Sequence, residues 1–257
     1  MMIKQSKNIK NMELQNRNYN QNEHTSTVEI GSEAGIKAFL SNVFTYMAGA
    51  LSITGVIAYL FGTNDSLLSY LVNYETGSMT ILGWAVMFAP LAFVLVMSLS
   101  FNKLSSFTLL GLFIAYSAVM GMSMSFIFLI YTGGSIASTF GITAATFGVM
   151  AILGYTTKQD LTKFGAILMM AVIGIIIAMV VNFFIGSSMM DLIISCLGVL
   201  IFTGLTAYDV QKLKRIGSGV EFGAESTNKL AIMGALNLYL DFVNLFMFLL
   251  RLFGDRK

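Results

Sequence analysis

Seven apolar stretches, each near the ~20 residues that cross a bilayer as a helix, leave this chain few ways to fold. They run over Val43–Phe61, Met79–Leu99, Phe107–Tyr131, Ser135–Tyr155, Phe164–Ile185, Leu192–Val210 and Leu230–Phe253. The alternating pattern of membrane β-barrel strands does not occur in them. With 56% of 257 residues hydrophobic, 11% charged and a mean hydropathy of +0.77, the chain lacks the polar surface of a soluble domain. One proline and 24 glycines suit long helices packed closely through small residues. The expected fold is all-α: a polytopic membrane protein whose residues 36–257 form a seven-transmembrane-helix bundle.

Residues 1–35 are polar, rich in asparagine and glutamine, and lack the apolar core and cleavage site of a signal peptide. They read as a disordered cytoplasmic tail. Lys4, Lys7, Lys10 and Arg17 are too sparse in it to make headgroup binding the favoured reading. Of the 15 basic residues, all but Arg251, Arg256 and Lys257 fall in the N-terminal region or in the second, fourth and sixth loops. The positive-inside rule puts those loops and the N-terminus in the cytoplasm of a multi-pass protein of the cell inner (plasma) membrane. An odd number of spans then exports the basic C-terminus, unless the last segment re-enters; seven full spans are expected. The first outer loop, Gly62–Ser78, carries Leu67, Leu68, Leu71 and Val72 at helical spacing, which suits a helix lying in the interface. Thr132-Gly133-Gly134 reads as a tight turn between spans three and four. Gly49, Ser52 and Gly55, then Gly121 and Ser125, then Gly141, Ala145 and Gly148, read as helix contacts.

Two acids lie inside spans, Asp209 and Asp241. Such residues are costly in lipid and mark functional sites by default. Asn237, Asp241 and Asn244 share one stripe of the last span, with Arg251 at its far end, where its side chain is expected to snorkel. Counting ~1.5 Å per residue from the span ends leaves Asp209 near the cytoplasmic edge and Asp241 about 10–15 Å below it. Tilt, or a last helix that begins above the membrane surface, would close that gap. Paired carboxyls in a low-dielectric site share a proton and titrate as one unit. With the proton they lock two helices together; without it they repel each other and attract a cation. Thr206, Tyr208, Asn237 and Asn244 are the supporting polar residues. Tyr208 and Tyr239 are each placed to donate to the acids or to anchor at an interface.

Other chemistries find little here. The single cysteine, Cys196, excludes an internal disulfide, and the single histidine, His24, lies in the tail, so zinc, iron and haem have no ligand cluster. Met120 and Met124, four apart, read as packing rather than a copper(I) site. No mid-span lysine offers retinal an attachment point, and no phosphate-binding glycine loop supports ATP-driven pumping. No internal repeat favours an inverted-repeat transporter. No cofactor and no nucleic-acid partner are expected. The expected partners are the bilayer, a cation and protons, with a membrane protein as a further candidate.

TAYDVQKLK (Thr206–Lys214) and GALNLYLDFVNLFMFLLRLFG (Gly234–Gly254) resemble the last two helices of the transmembrane Bax inhibitor motif family, in its bacterial branch. GYTTKQDL (Gly154–Leu161) and YTGGSIASTFG (Tyr131–Gly141) are similar to that branch too, and the likeness runs from about residue 35 to the end. The resemblance implies seven helices, a pH-sensitive calcium leak, and a di-aspartyl pH sensor at Asp209 and Asp241. Some members latch the pair with an arginine in the second helix; Met79–Leu99 contains no basic residue, so that gating detail does not transfer. The family is also linked to suppression of cell death in eukaryotes and, in one bacterial relative, to modulation of a membrane protease.

The function expected is thus a pH-sensitive cation leak, calcium being the expected ion, and not an enzyme. Calcium prefers six to eight oxygens, so Asp209 and Asp241 suit transient passage rather than a tight metal site. The alternatives are a proton-coupled transporter or a membrane regulatory protein acting through a partner. An intramembrane aspartyl protease fits less well: Tyr208-Asp209 matches one half of its signature, but Leu238-Tyr239-Leu240-Asp241 stands where Gly-x-Gly-Asp is required.

Overall fold

In the computed structural model, residues 33–219 and 224–257 are described. The polar tail expected over residues 1–35 therefore lies, apart from its last three residues, outside the described part. Among the described residues, seven helices are long and apolar enough to cross a membrane. They are α1 (Glu33–Thr63), α3 (Ile81–Leu99), α4 (Ser106–Met124), α6 (Gly133–Thr156), α7 (Thr162–Ile185), α8 (Ser188–Gly219) and α9 (Ala224–Phe253). Two single turns, α2 (Asp65–Leu68) and α5 (Ile127–Ile130), and a two-strand hairpin, β1 (Val72–Asn73) with β2 (Ser78–Met79), complete the architecture. The fold is all-α, as its composition requires.

Helix α9 is the axis. It packs against α8, α1, α6 and α4, and from Ala231 to Leu250 all but five residues are buried. Surrounding helices turn one stripe inward. In α1 that stripe is Phe39, Val43, Met47, Ala50, Thr54 and Ala58, the three-to-four spacing of a helix face. Helix α7 buries only Gly165, Leu168 and Ile175 and shows the rest of its surface outward. Its end is set by Gly186, which takes φ 68° and returns its N–H to Asn182 O at 2.7 Å.

The last helix does not turn back on itself. It is one continuous helix of 30 residues, ~45 Å long at ~1.5 Å per residue. Residues beyond it tie down at the end opposite the start of α1. Thr132 N–H donates to Asp255 O (3.0 Å), Asp255 N–H to Ser135 Oγ (2.8 Å), and Lys257 N–H to Ile130 O (2.9 Å). At the other end, Ile36, the 157–160 loop and the last turns of α8 line one shallow depression.

Three expectations need correction. The first loop does not lie flat as a helix. Asn64 caps a single helical turn through Ser66 N and Leu67 N, and Leu68 and Leu71 are buried. Gly133 and Gly134 are not a turn but the first residues of α6, capped by Thr132 Oγ1 accepting from Ser135 N. The chain turns just before them, at Tyr131 and Thr132, the two extended residues between α5 and α6. Of the glycines expected at helix contacts, Gly121 does lie against α1, at the Thr54 carbonyl and Ile57. Gly49, Gly55, Gly141 and Gly148 have open space where a side chain would start.

Candidate functional site

Helices α8 and α9 run antiparallel through the bundle and form its closest pairing. Both outrun a bilayer core of ~30 Å, with 32 and 30 residues. Close approach is set by small residues: Gly234 sits under Leu213, and Gly198 under Phe248. Asp209 on α8 is half-buried and Asp241 on α9 is 5% exposed. Their carboxyls face each other within hydrogen-bonding reach.

Helix ends alone do not level these acids: Gly219 back to Asp209 is 10 residues and Ala224 on to Asp241 is 17. The packing register does, since Leu213 over Gly234 and Phe248 over Gly198 set Asp209 near Leu238, about one turn from Asp241. Side chains on a helix also lean toward its N-terminus. In an antiparallel pair the two leans are opposed, so Asp209 and Asp241 reach toward each other.

The pair is sparsely served by other groups. Asp241 Oδ2 is buried with no hydrogen-bond partner among the protein atoms. Lys212, one turn beyond Asp209, is the cation that acts on it, and its ammonium also stands 6.0 Å from the centre of the Tyr208 ring. A carboxyl atom enclosed this way needs a proton, a water or a cation.

The supporting residues scatter. Thr206 is fully buried, but its hydroxyl donates to Phe202 O in its own helix at 2.8 Å. Tyr208 turns toward α7, its ring over Gly165. Asn244 donates to Leu240 O at 2.8 Å. Asn237 is exposed. Tyr239 is neither an interfacial anchor nor a donor to the acids: it is fully buried and bonded to Thr54 at 2.7 Å. Arg251 does not simply snorkel; it pairs with Asp191 at 3.6 Å, where α8 begins.

Sequence reasoning missed two groups of residues. Thr54, Ser117 and Tyr116 surround Tyr239 at the core, the Tyr116 and Tyr239 rings meeting edge to face at 5.4 Å. Their signal was present in α4 as a buried stripe of Leu109, Phe113 and Tyr116 at helical spacing. The second is Gln211, two residues past Asp209. It accepts from Leu161 N (2.9 Å) and from Arg215 (2.7 Å), and donates to Gln159 O (2.7 Å). Backbone partners in a loop leave no trace in sequence.

Among the described residues no three of His, Cys, Asp or Glu come together as a metal cluster. Two carboxyls supply at most four oxygens, below the six to eight that calcium takes, so water would complete any shell around a passing ion. Leu238 and Tyr239, which stand where an aspartyl protease needs glycine, are both fully buried.

The sequence is similar to known proteins along most of its length. The sequence model of the family described as "Inhibitor of apoptosis-promoting Bax1" matches residues 36–257. The "Inner membrane protein YbhL" of Escherichia coli (strain K12) is 42% identical over 225 residues, covering 87% of this chain and 94% of its own. An uncharacterized protein of Borreliella burgdorferi is 45% identical over 219 residues, covering 85% and 92%. The uncharacterized protein RP147 of Rickettsia prowazekii is 41% identical over 228 residues, covering 88% and 92%.

Proposed function

The chain belongs to the family of the inhibitor of apoptosis-promoting Bax1, and from that premise we propose that it is a pH-gated cation leak, with calcium as cargo and the Asp209–Asp241 pair as gate. The observation that carries this reading is the facing of the two carboxyls across α8 and α9, with Asp241 Oδ2 buried and unpartnered. A proton shared between them makes a hydrogen bond with a single net negative charge, which holds the helices together. Its loss leaves two like charges side by side in a low-dielectric site, a state relieved by parting the helices or admitting a cation. Lys212 is the positive group near enough to temper that repulsion. The membrane we assign is the inner membrane, in keeping with the similarity to the inner membrane protein YbhL. The end bearing Lys103, Lys158, Lys163, Lys212, Lys214 and Arg215 faces the cytoplasm, by the bias of basic residues toward that side.

The test is calcium flux into liposomes holding the purified protein, across roughly pH 5 to 8, for wild type, Asp209→Asn and Asp241→Asn. Steep pH dependence in the wild type, flattened by both substitutions, is the expected result. A pH response that survives both would make the acids helix fasteners and remove them from gating.

A further inference from the structure

Helices α1 and α6 both pack along α9, yet they form no packed interface with each other. Between them lies an apolar cavity of about 500 Å³. Phe242, Val243 and Phe246 of α9 form its floor, and Met124 and Phe128 close one end. Gly55 and Ala58 on α1 and Ala137 on α6 keep its walls thin. The Thr54 hydroxyl on its wall is already engaged, donating to Ser117 O and accepting from Tyr239. A cavity of this size is in the range that holds a ligand, and walls this apolar do not retain water.

Two features say what fills it. Tyr59 and Phe140 line the cavity and also lie on the outward surface beside Val56 and Leu60, at 59% and 44% exposure. The cavity is therefore continuous with the face that meets lipid. At its closed end, Lys257 places its ammonium 2.7 Å from Phe128 O, an exposed positive charge where the last helix leaves the membrane.

We propose that this cavity binds one acyl chain of an anionic glycerophospholipid, drawn laterally from the leaflet on the C-terminal side, with its phosphate near Lys257. The lateral mouth lets the chain enter while its headgroup stays at the interface. The inference is independent of ion conduction and stands or falls separately from it.

The probe is phosphatidylglycerol with a diazirine near the end of one acyl chain, incorporated into liposomes with the full chain, irradiated, and mapped by peptide mass spectrometry. Label should appear on Phe242, Val243 and Phe246, which surrounding lipid does not touch, as well as on outward Ile173 and Ile177 of α7. Gly55→Leu has open space to enter the cavity. Together with Ala137→Leu, tested separately, it should lower the α9 label about tenfold by occupying the pocket. The α7 label should be unchanged, which also reports that the fold persists. Label confined to α7, or α9 label that survives both filled variants, would overturn the proposal. So would labelling of α9 by a diazirine fatty acid but not by the phospholipid. Equal labelling by the zwitterionic phosphatidylethanolamine analogue, unmoved by Lys257→Gln, would overturn the choice of an anionic lipid.

Discussion

The phenol of Tyr239 donates to Oγ1 of Thr54 across 2.7 Å. The direction is fixed, because the single Thr54 proton goes to Ser117 O at 2.9 Å. Three helices, α9, α1 and α4, thus meet at one buried hydroxyl, two residues before Asp241 in the chain. Phe113 and Tyr116 pack edge to face on the Tyr239 ring at 6.0 and 5.4 Å. This is a rigid point against which the acid pair is held.

Tyr239→Phe removes the donor and leaves Thr54 still bonded to Ser117 O. It should cost only about 0.5–1 kcal/mol. Thr54→Val leaves the Tyr239 hydroxyl buried without its acceptor, and should cost about 1–3 kcal/mol. Thermal unfolding of the purified protein in detergent ranks the two; the reverse order would show that the hydroxyl is served by another group.

Gly154 lies directly against the backbone of Ala207, two residues before Asp209, while Gly148 on the same helix faces open space. Gly154→Ala would drive α6 from α8 and should cost about 1–3 kcal/mol, the usual range for overpacking. Gly148→Ala should be neutral or slightly stabilising, by up to about 1 kcal/mol, since alanine is the better helix former. Equal melting temperatures for the two variants would mean the α6–α8 contact yields freely.

These glycines show where sequence stops being legible. Small residues at spacing four mark a surface that could be packed, but which helix turns toward it is a tertiary fact. Gly141 and Gly148 have the spacing and no neighbour, whereas Gly154, Gly198 and Gly234 make the contacts. The spans themselves were readable because lipid demands ~20 apolar residues; α3 and α7 begin within two residues of expectation. How far two helices slide past each other leaves no such trace, so the register that brings Asp209 to Asp241, set where Leu213 meets Gly234 and Phe248 meets Gly198, was not legible. The first loop failed for a different reason. Leu68 and Leu71 are buried against protein, not spread in an interface, and hydropathy does not distinguish the two.

The 157–161 loop is fastened to α8 through Asp160. Its carboxylate accepts from the Thr162 hydroxyl (2.6 Å), from Thr162 N–H (2.9 Å) and from Arg215 (3.0 Å). The Thr162 bonds first, and then Arg215, hold its carboxyl below the usual range. A carboxyl lowered in the folded state contributes above its unfolded pKa of about 4 and loses that contribution as pH falls through the folded value. Asp160→Asn should therefore speed amide exchange at Leu161 and Thr162 relative to wild type at neutral pH. The difference should persist down to about pH 4 and fade below it. A difference that held at still lower pH would assign the fastening to Gln211, whose bond to Leu161 N does not titrate.

If Asp209 and Asp241 act as one titrating unit, their substitutions should not add. Either asparagine alone removes the possibility of two facing negative charges, and the second removes nothing further of that kind. The flux of Asp209→Asn/Asp241→Asn against pH should then overlay that of whichever single variant is flatter. Independent sites predict otherwise: each substitution would remove its own portion of the pH response, and the double variant would show the sum. Two other charges bear on the outcome. Lys212 acts on Asp209 from its own helix, so Lys212→Gln should shift the midpoint of the wild-type response and leave the double variant unmoved. Arg251 is held 3.6 Å from Asp191 at the far end of α8, so Arg251→Gln should alter neither. Measuring all of these proteins in one liposome series separates a coupled pair from two acids that merely lie side by side. Additive effects, or an Arg251→Gln shift as large as that of Lys212→Gln, would exclude the coupled pair as the gate.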